Sequence, residues 1–533
     1  MMFCEQCGSK LNPGAHFCEE CGAEVEDGET IRKDCSADGA SEDVTSVFCR
    51  NDWAFKWLRA ATSCDNAEVG ILMTRESALA EQLGVGREAI HVILSSYIGN
   101  MKTHGVNYCY LDLDNCPFYS GKGDEGSVVA ALRTIVDVAR PKYLFIVGNE
   151  DIIDVARWEN EARDSDDEVE SDLCYATLDV NSPWNGQTYK FDDVLRVGRF
   201  PTCAGESLES FKHYFDYVPW SNGRLGELVP YGLSALVWEA ESNDEYRVVS
   251  RDSVDVSPEV TKESVGHRIP QNANLMFFNL HGSSNTKYWY GQEGCSYPEA
   301  FLPEVLSGWS SPYFIGVEAC YGARYVGQIP SADSIVLTAL RNNCLAFLGS
   351  SRIAFGTSEP KGSCADIVVG EFIKCLPKGY SAGDAYLEGL KALAHDPSSM
   401  DDSDIKTLAE FALYGDPSVR MNAQKPTGLM KAFFKGGGAP KGMFAPLPDV
   451  RKAVHMAITE VDAKIESVID DYYTNHVIPQ LAAGLSDVQQ SVFKMSNTGL
   501  NQKIYIAQSN GMTRVAKVYF DDRGTVKKAL ISK

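Results

Sequence analysis

Two apolar runs in this sequence end on residues able to do chemistry. "LMFFNLHGSSNTKYWYG", residues 275–291, drives into His281-Gly282 and then turns polar. "SPYFIGVEACYGARYVG", residues 311–327, repeats the design with Cys320 where the histidine was. A thiol is a useful nucleophile only as a thiolate, and a nearby imidazole can take or balance its proton. Gly282, lacking a side chain, lets a backbone N–H approach a substrate, and with the N–H of Cys320 it would form an oxyanion hole. Either residue alone is more often core than catalytic. Together, each just past the end of an apolar strand, they describe a hydrolase design.

A second group of residues has metal chemistry. "FCEQCGSKL" and "FCEECGAEV" form an internal repeat that places Cys4, Cys7, Cys18 and Cys21 as two C-x-x-C-G knuckles. Four thiolates suit a tetrahedral structural Zn2+, and Gly8 and Gly22 tolerate the tight knuckle backbone. His16 stands beside the second knuckle as a bystander, because four cysteines already close the site. A module of about 25 residues with almost no apolar core takes most of its folding energy from the metal. Zinc ribbons of this kind imply docking or assembly through a protein partner.

The elements that must position these residues follow from hydrophobic patterning. Short continuous apolar runs such as "NYCYLDL", "KYLFIV", "GLSALVW", "LMFFNL", "YFIGV" and "CLAFLG" alternate with stretches of helical spacing such as "GSVVAALRTIVDVAR" and "SADSIVLTALRNN". Continuous apolar strands separated by helices predict parallel sheets covered on both faces, an α/β class. In such sheets, ligands meet the carboxyl ends of the strands, where His281 and Cys320 fall. The expected organisation is a zinc ribbon at 1–25, an acidic linker at 26–44 carrying the lone Cys35, and a first α/β subdomain at 45–225. A catalytic α/β subdomain follows at 226–425, then a Gly/Pro linker at 426–448 and a small α+β domain at 449–533. The acidic stretch "ENEARDSDDEVESD" is expected to be a mobile loop, and "YGDP" at 414–417 a structural turn. Cys109, Cys174, Cys344 and Cys364 read as core or incidental.

Composition narrows the function classes. With 49 Lys and Arg against 73 Asp and Glu, the 533-residue chain carries a formal charge of −24, which repels phosphate backbones and anionic lipid surfaces. A nucleic-acid partner is disfavoured. No apolar run approaches the roughly 18 to 20 residues of a membrane span, and the start lacks the pattern of a secretory signal. The expected location is cytoplasmic, where the 16 cysteines stay reduced.

Between about 105 and 421 the ordered pieces "YLFIVGNEDI", "SDLCYATLD", "DVLRVGRFPT", "NLHGSSNTKYWYG", "VEACYGARY", "NNCLAFLGSSRIAFG" and "ALYGDPSVRM" resemble the gingipain type of cysteine peptidase. That type shares a caspase-like plan of strand-His-Gly and strand-Ala-Cys. Asn149 stands where the family has an acid, and Glu318 sits one position nearer the cysteine than the family's acid. The resemblance implies an endopeptidase with Cys320 as nucleophile and His281 as proton donor to the leaving amine. It implies an acyl-enzyme intermediate and cleavage after Arg, with Lys accepted less well. Carried onto "ALVWEAESNDEYRVV", it makes Asp244 the specificity-pocket acid and Glu239 or Glu241 the carboxylate orienting the histidine. Phe355 falls near the family's pocket wall. Calcium is a candidate ion by the same resemblance, although no loop has a clear ligand spacing. Processing at Arg157 or Arg163 in the acidic loop would follow the habit of related peptidases. The competing readings are a catalytically silent caspase-like scaffold and an adaptor working through the zinc ribbon.

Overall fold

The computed structural model describes residues 2–3, 10–11, 68–185, 191–294, 296–325, 334–357, 362–397, 400–422, 489–494, 498–509 and 512–533. The chain divides into two compact units, Met1–Asp52 and Trp53–Lys533. In the first, Met2–Phe3 pairs antiparallel with Lys10–Leu11, on either side of the first knuckle. Cys4, Cys7, Cys18, Cys21, His16 and the linker with Cys35 lie outside the described residues.

The second unit is built on a ten-stranded sheet. Its strands are β1 (Glu68–Thr74), β2 (Val106–Asp112), β3 (Tyr143–Val147), β4 (Arg196–Phe200), β5 (Pro230–Ala235), β6 (Asp255–Ser257), β7 (Leu275–Asn279), β8 (Tyr313–Val317), β9 (Cys344–Ser350) and β10 (Phe411–Gly415). In space they run β6-β5-β7-β8-β9-β10-β4-β3-β1-β2. Every residue of β3, β7 and β8 is buried, as their unbroken apolar sequences require of strands covered by helices on both faces. The helices include Glu125–Ala139, which starts where Asp124 accepts the Ser127 N–H at 2.9 Å, and Ile335–Arg341. Both lie within stretches of helical spacing.

The two halves expected from the sequence are parallel but are not separate sheets. β10 leaves the second half, pairs antiparallel with β9 and runs parallel to β4, so one continuous sheet crosses the whole body. Several of the ordered sequence pieces prove to be the joints of this seam. Asp172 takes Arg199 in a bidentate pair at 2.8 and 2.6 Å. A Cβ on Gly198 would lie 2.3 Å from the Gly415 carbonyl oxygen, so only glycine fits that crossing. In the turn after β10, the buried Asp416 carboxylate accepts from Tyr97, from Tyr108 at 2.5 Å and from the Ser418 N–H at 2.6 Å.

The acidic stretch expected to be mobile is instead tied down. Ala156–Glu159 and Glu168–Ser171 form a hairpin. Asp164 and Asp166 from its loop are buried against Lys406, each at 2.7 Å. Arg157 pairs with Glu168 and Glu170, and Arg163 lies 4.1 Å over the Phe493 ring.

The C-terminal region supplies the strands of the expected small α+β domain. Its described part is an antiparallel sheet of β11 (Gln489–Lys494), β12 (Asn501–Ser509), β13 (Met512–Phe520) and β14 (Val526–Ser532). β11 falls in a stretch read as helical, although its "SVF" core has strand preference; residues 423–488 lie outside the described residues. Asp521 turns β13 into β14 by accepting the Arg523 and Thr525 N–H groups. The sheet is not a free-standing tail, because β14 pairs with the short strand Phe355–Gly356 of the body. Among the described residues, no helix is long and apolar enough to cross a membrane.

Candidate active site

Strand register brings the histidine and the cysteine together. β7 and β8 are parallel neighbours, with Phe278 opposite Val317. Three residues on from each come His281 and Cys320, which therefore leave the same edge of the sheet side by side. His281 is held by two backbone bonds with Tyr290, at 2.9 and 2.8 Å. Gly282 is a necessity of this approach: a Cβ there would lie 1.7 Å from the Cys320 carbonyl oxygen.

The imidazole is fully buried and bonded on both nitrogens. Arg514, from β13, donates Nη1–H to Nδ1 at 2.5 Å, and Nε2 lies 2.7 Å from Gln292 Oε1. A guanidinium can only donate, so Nδ1 is the acceptor and Nε2–H donates a hydrogen bond to the Gln292 oxygen. Trp238 packs on the ring with centroids 4.2 Å apart, and Tyr297 meets it edge-on at 5.1 Å. Burial, reinforced by the Arg514 charge, pushes the His281 pKa well below the usual histidine value. Burial likewise raises the Cys320 thiol to about 12, against a lowering pull from Arg514. The Cys320 thiol points to the Ala354 carbonyl at 3.4 Å. Both members of the pair are thus uncharged here, and each is bonded to a third group.

Neither carboxylate expected to orient the histidine does so. Glu239 is exposed. Glu241 is buried, but its Oε2 accepts from Asn279 at 2.8 Å. Gln292 and Arg514 occupy the imidazole instead.

Beside the pair lies a pocket of four carboxylates. Glu241 and Glu245 come from one face of the helix Glu239–Tyr246, Glu318 follows β8, and Asp366 comes from the first turn of the helix Ala365–Cys375. One oxygen from each lies within 4.8 Å of the others. Asp366 is anchored by the N–H groups of Thr357 at 2.9 Å and Ser363 at 2.8 Å. Into this pocket goes the Lys533 ammonium, 2.8 Å from Asp366, 3.2 Å from Glu318 and 3.7 Å from Glu241. It also lies 4.5 Å over the Trp238 ring. Burial works against the lysine charge, but Asp366, Glu318 and Glu241 outweigh it and raise its pKa. Glu241 and Glu245 are pushed well up, by burial first and then by their acidic neighbours; Glu318 rises to about 7 from burial, with Lys533 pulling it down. The pocket therefore holds protons as well as a lysine, which limits the repulsion among its acids.

Two pocket residues expected from the sequence are corrected. Asp244 faces solvent, its side chain 47% exposed and paired with Arg247. Helix phase decides this, since Glu241 and Glu245 share the inward face. The Phe355 side chain points away from the acids into a cluster with Cys320, Ile504 and Val515, and Lys517 lies 4.1 Å over its ring. The next residue, Gly356, faces the pocket: a Cβ there would lie 2.0 Å from Lys533 Cε. Trp238 is the aromatic wall. Sequence reading missed Trp238, Glu245, Gln292, Asp366, Arg514 and Lys533. Of these, only Glu245 carried a local signal, its four-residue spacing from Glu241.

Residues 3–25 match the family model of a zinc-ribbon domain. No curated protein matches the chain. Among solved structures, the chain is similar to the Arg-specific cysteine proteinase gingipain R, at 11% identity with a TM-score of 0.48, over 89% of this chain and 98% of that one. A second, described as a protease, matches at 12% identity with a TM-score of 0.43, over 88% of this chain and 92% of that one. The likenesses expected from the sequence, a zinc ribbon at the head and the gingipain type over the body, are both found.

Proposed function

We propose that the chain is a cysteine endopeptidase that cleaves after a basic residue. The observation carrying this reading is the matched register of β7 and β8, which sets His281 and Cys320 level beside a pocket of four carboxylates. In the reaction, the Cys320 thiol passes its proton to His281 and the sulfur attacks the peptide carbonyl carbon. The N–H groups of Gly282 and Cys320 receive the developing oxyanion. His281 then protonates the departing amine, leaving a thioester. Water adds to the thioester carbonyl and gives its proton to His281; the tetrahedral adduct collapses, releasing the carboxylic acid and returning a proton to the thiolate.

The pocket supports a lysine or arginine side chain before the scissile bond, since it already balances a lysine ammonium. This broadens the Arg preference implied by the family resemblance. The Cys4, Cys7, Cys18 and Cys21 set belongs to the zinc-ribbon match, and in this reading holds a structural Zn2+ for docking to a protein partner. The described cysteines are all free thiols, as suits a reducing compartment. The test is a fluorogenic peptide panel varying only the residue before the scissile bond. Turnover confined to Lys and Arg peptides, and lost in Cys320→Ala and His281→Ala, is expected. Turnover that persists in Cys320→Ala would remove the dyad from the reaction.

A further inference from the structure

The strand β14 lies where a peptide substrate would have to lie. Ser532 is paired with Phe355 and Ile531 with Gly356 in antiparallel register, and the Lys533 N–H donates to the Ala354 carbonyl at 3.0 Å. The Lys533 side chain, with no exposed surface, fills the carboxylate pocket. Its ammonium lies 4.5 Å over the Trp238 ring, which itself packs on His281. One extended segment thus satisfies two demands of a bound substrate: strand pairing along the groove and a basic side chain in the pocket beside the imidazole.

We infer that β14 and Lys533 are a built-in occupant of the substrate groove, which keeps the site latent until the strand withdraws. This rests on the peptidase reading for its meaning, but the occlusion itself is a separate physical claim. The neighbouring strand β13 adds to the block, because Arg514 takes the His281 Nδ1 lone pair. Both strands are fastened to the body by further cations, Lys517 buried and Lys528 partly exposed. Lys517 donates to the Ala162 carbonyl at 2.6 Å and to Ser403 Oγ at 2.9 Å, and Lys528 binds Asp401 at 2.7 Å and Asp404 at 3.0 Å. Displacement needs a competitor of the same chemistry, an extended peptide with a basic side chain at its pocket position, or a partner that draws the C-terminal sheet away.

Alkylation of Cys320 by iodoacetamide, followed by mass spectrometry, tests this without requiring turnover. Lys533→Met keeps the aliphatic stem over Trp238 and removes the charge, whereas Lys533→Arg keeps it. We expect Cys320 in Lys533→Met to react at least tenfold faster than in wild type and Lys533→Arg. A synthetic peptide of residues 526–533 should restore protection to Lys533→Met, and the same peptide ending in Glu should not. Equal labelling rates in folded wild type and Lys533→Met would overturn the inference.

Wild type alone gives a second reading that does not depend on the variant folding. Hydrogen exchange at the amides of 526–533 should be at least as fast as Cys320 labelling, since the strand must open first. Labelling that outpaces that exchange would overturn the inference. A Lys533→Met protein that labels fast yet cleaves no peptide would remove the peptidase reading and leave the occlusion standing.

Discussion

At the scale of single residues, His281 and Cys320 of the proposed pair are buried, and each side chain is bonded to a third group. The Cys320 thiol, raised to about 12, becomes a thiolate only far into the alkaline range. Its alkylation rate in wild type should therefore climb about tenfold per pH unit from 7 to 10 without a plateau. A plateau near pH 8 in the mass-spectrometric rates would show that an activated thiolate already exists. Gly282→Ala should be severe, because its Cβ cannot sit 1.7 Å from the Cys320 carbonyl oxygen. The β7 and β8 ends must spread, so we expect a loss of about 3 kcal/mol or more in denaturant unfolding, and peptide turnover below a hundredth of wild type. His281 itself was readable from its place after an apolar run. Its true partners were not, because Gln292 arrives from a later loop and Arg514 from the far end of the chain.

At the scale of elements, charge is used to lock helices onto the sheet. Asp384, in the first turn of the helix Ala382–Leu393, takes Lys142 at 2.7 Å and Arg196 at 3.0 Å, tying that helix to β4 and the start of β3. Burial would raise its carboxyl, but the two cations win and hold it at about 2, below the usual 3.8. A depressed carboxylate contributes stability that is fully present above the unfolded value and lost as pH falls through the folded one. This contribution, about 2 kcal/mol, should thus disappear between roughly pH 4 and 2. Asp384→Asn removes the carboxylate shared by buried Arg196 and part-exposed Lys142, which keeps Glu68 at 2.9 Å, and we expect it to cost about 3 kcal/mol in urea unfolding at pH 7. A change below 1 kcal/mol would mean the cations find other partners. The elements were legible where the pattern was local. "YLFIV", "LMFFN" and "YFIGV" could only be buried strands. "ENEARDSDDEVESD" misled, because its acids look like a solvated loop until Lys406 is brought beneath them.

At the scale of the whole molecule, an acidic chain places its C-terminal cations in its own acidic interior. Lys517, Lys528, Lys533 and Arg514 are all on the C-terminal sheet, and all reach into the body. The head of the chain is a separate compact unit whose residues 3–25 match a zinc-ribbon domain. Wild type should carry one zinc per chain by elemental analysis, and a Cys4→Ser, Cys18→Ser double variant none, because two of four thiolates cannot hold the ion. Retained stoichiometric zinc in that variant would place the metal elsewhere.

The sequence by itself determined what depends on neighbouring residues. The thiolate knuckles, the unbroken apolar strands, and a histidine and a cysteine each just past a strand end follow from local spacing and burial preference. Tertiary structure decided which acids matter. Glu239, Glu241, Asp244 and Glu245 are equivalent as a string of carboxylates, and only the phase of their helix against the core turns two inward and two outward. It also decided what fills the site, because no local pattern says that a lysine at position 533 will meet acids at 241, 318 and 366. That meeting requires strand register and sheet packing to converge, and those are set by the whole chain at once.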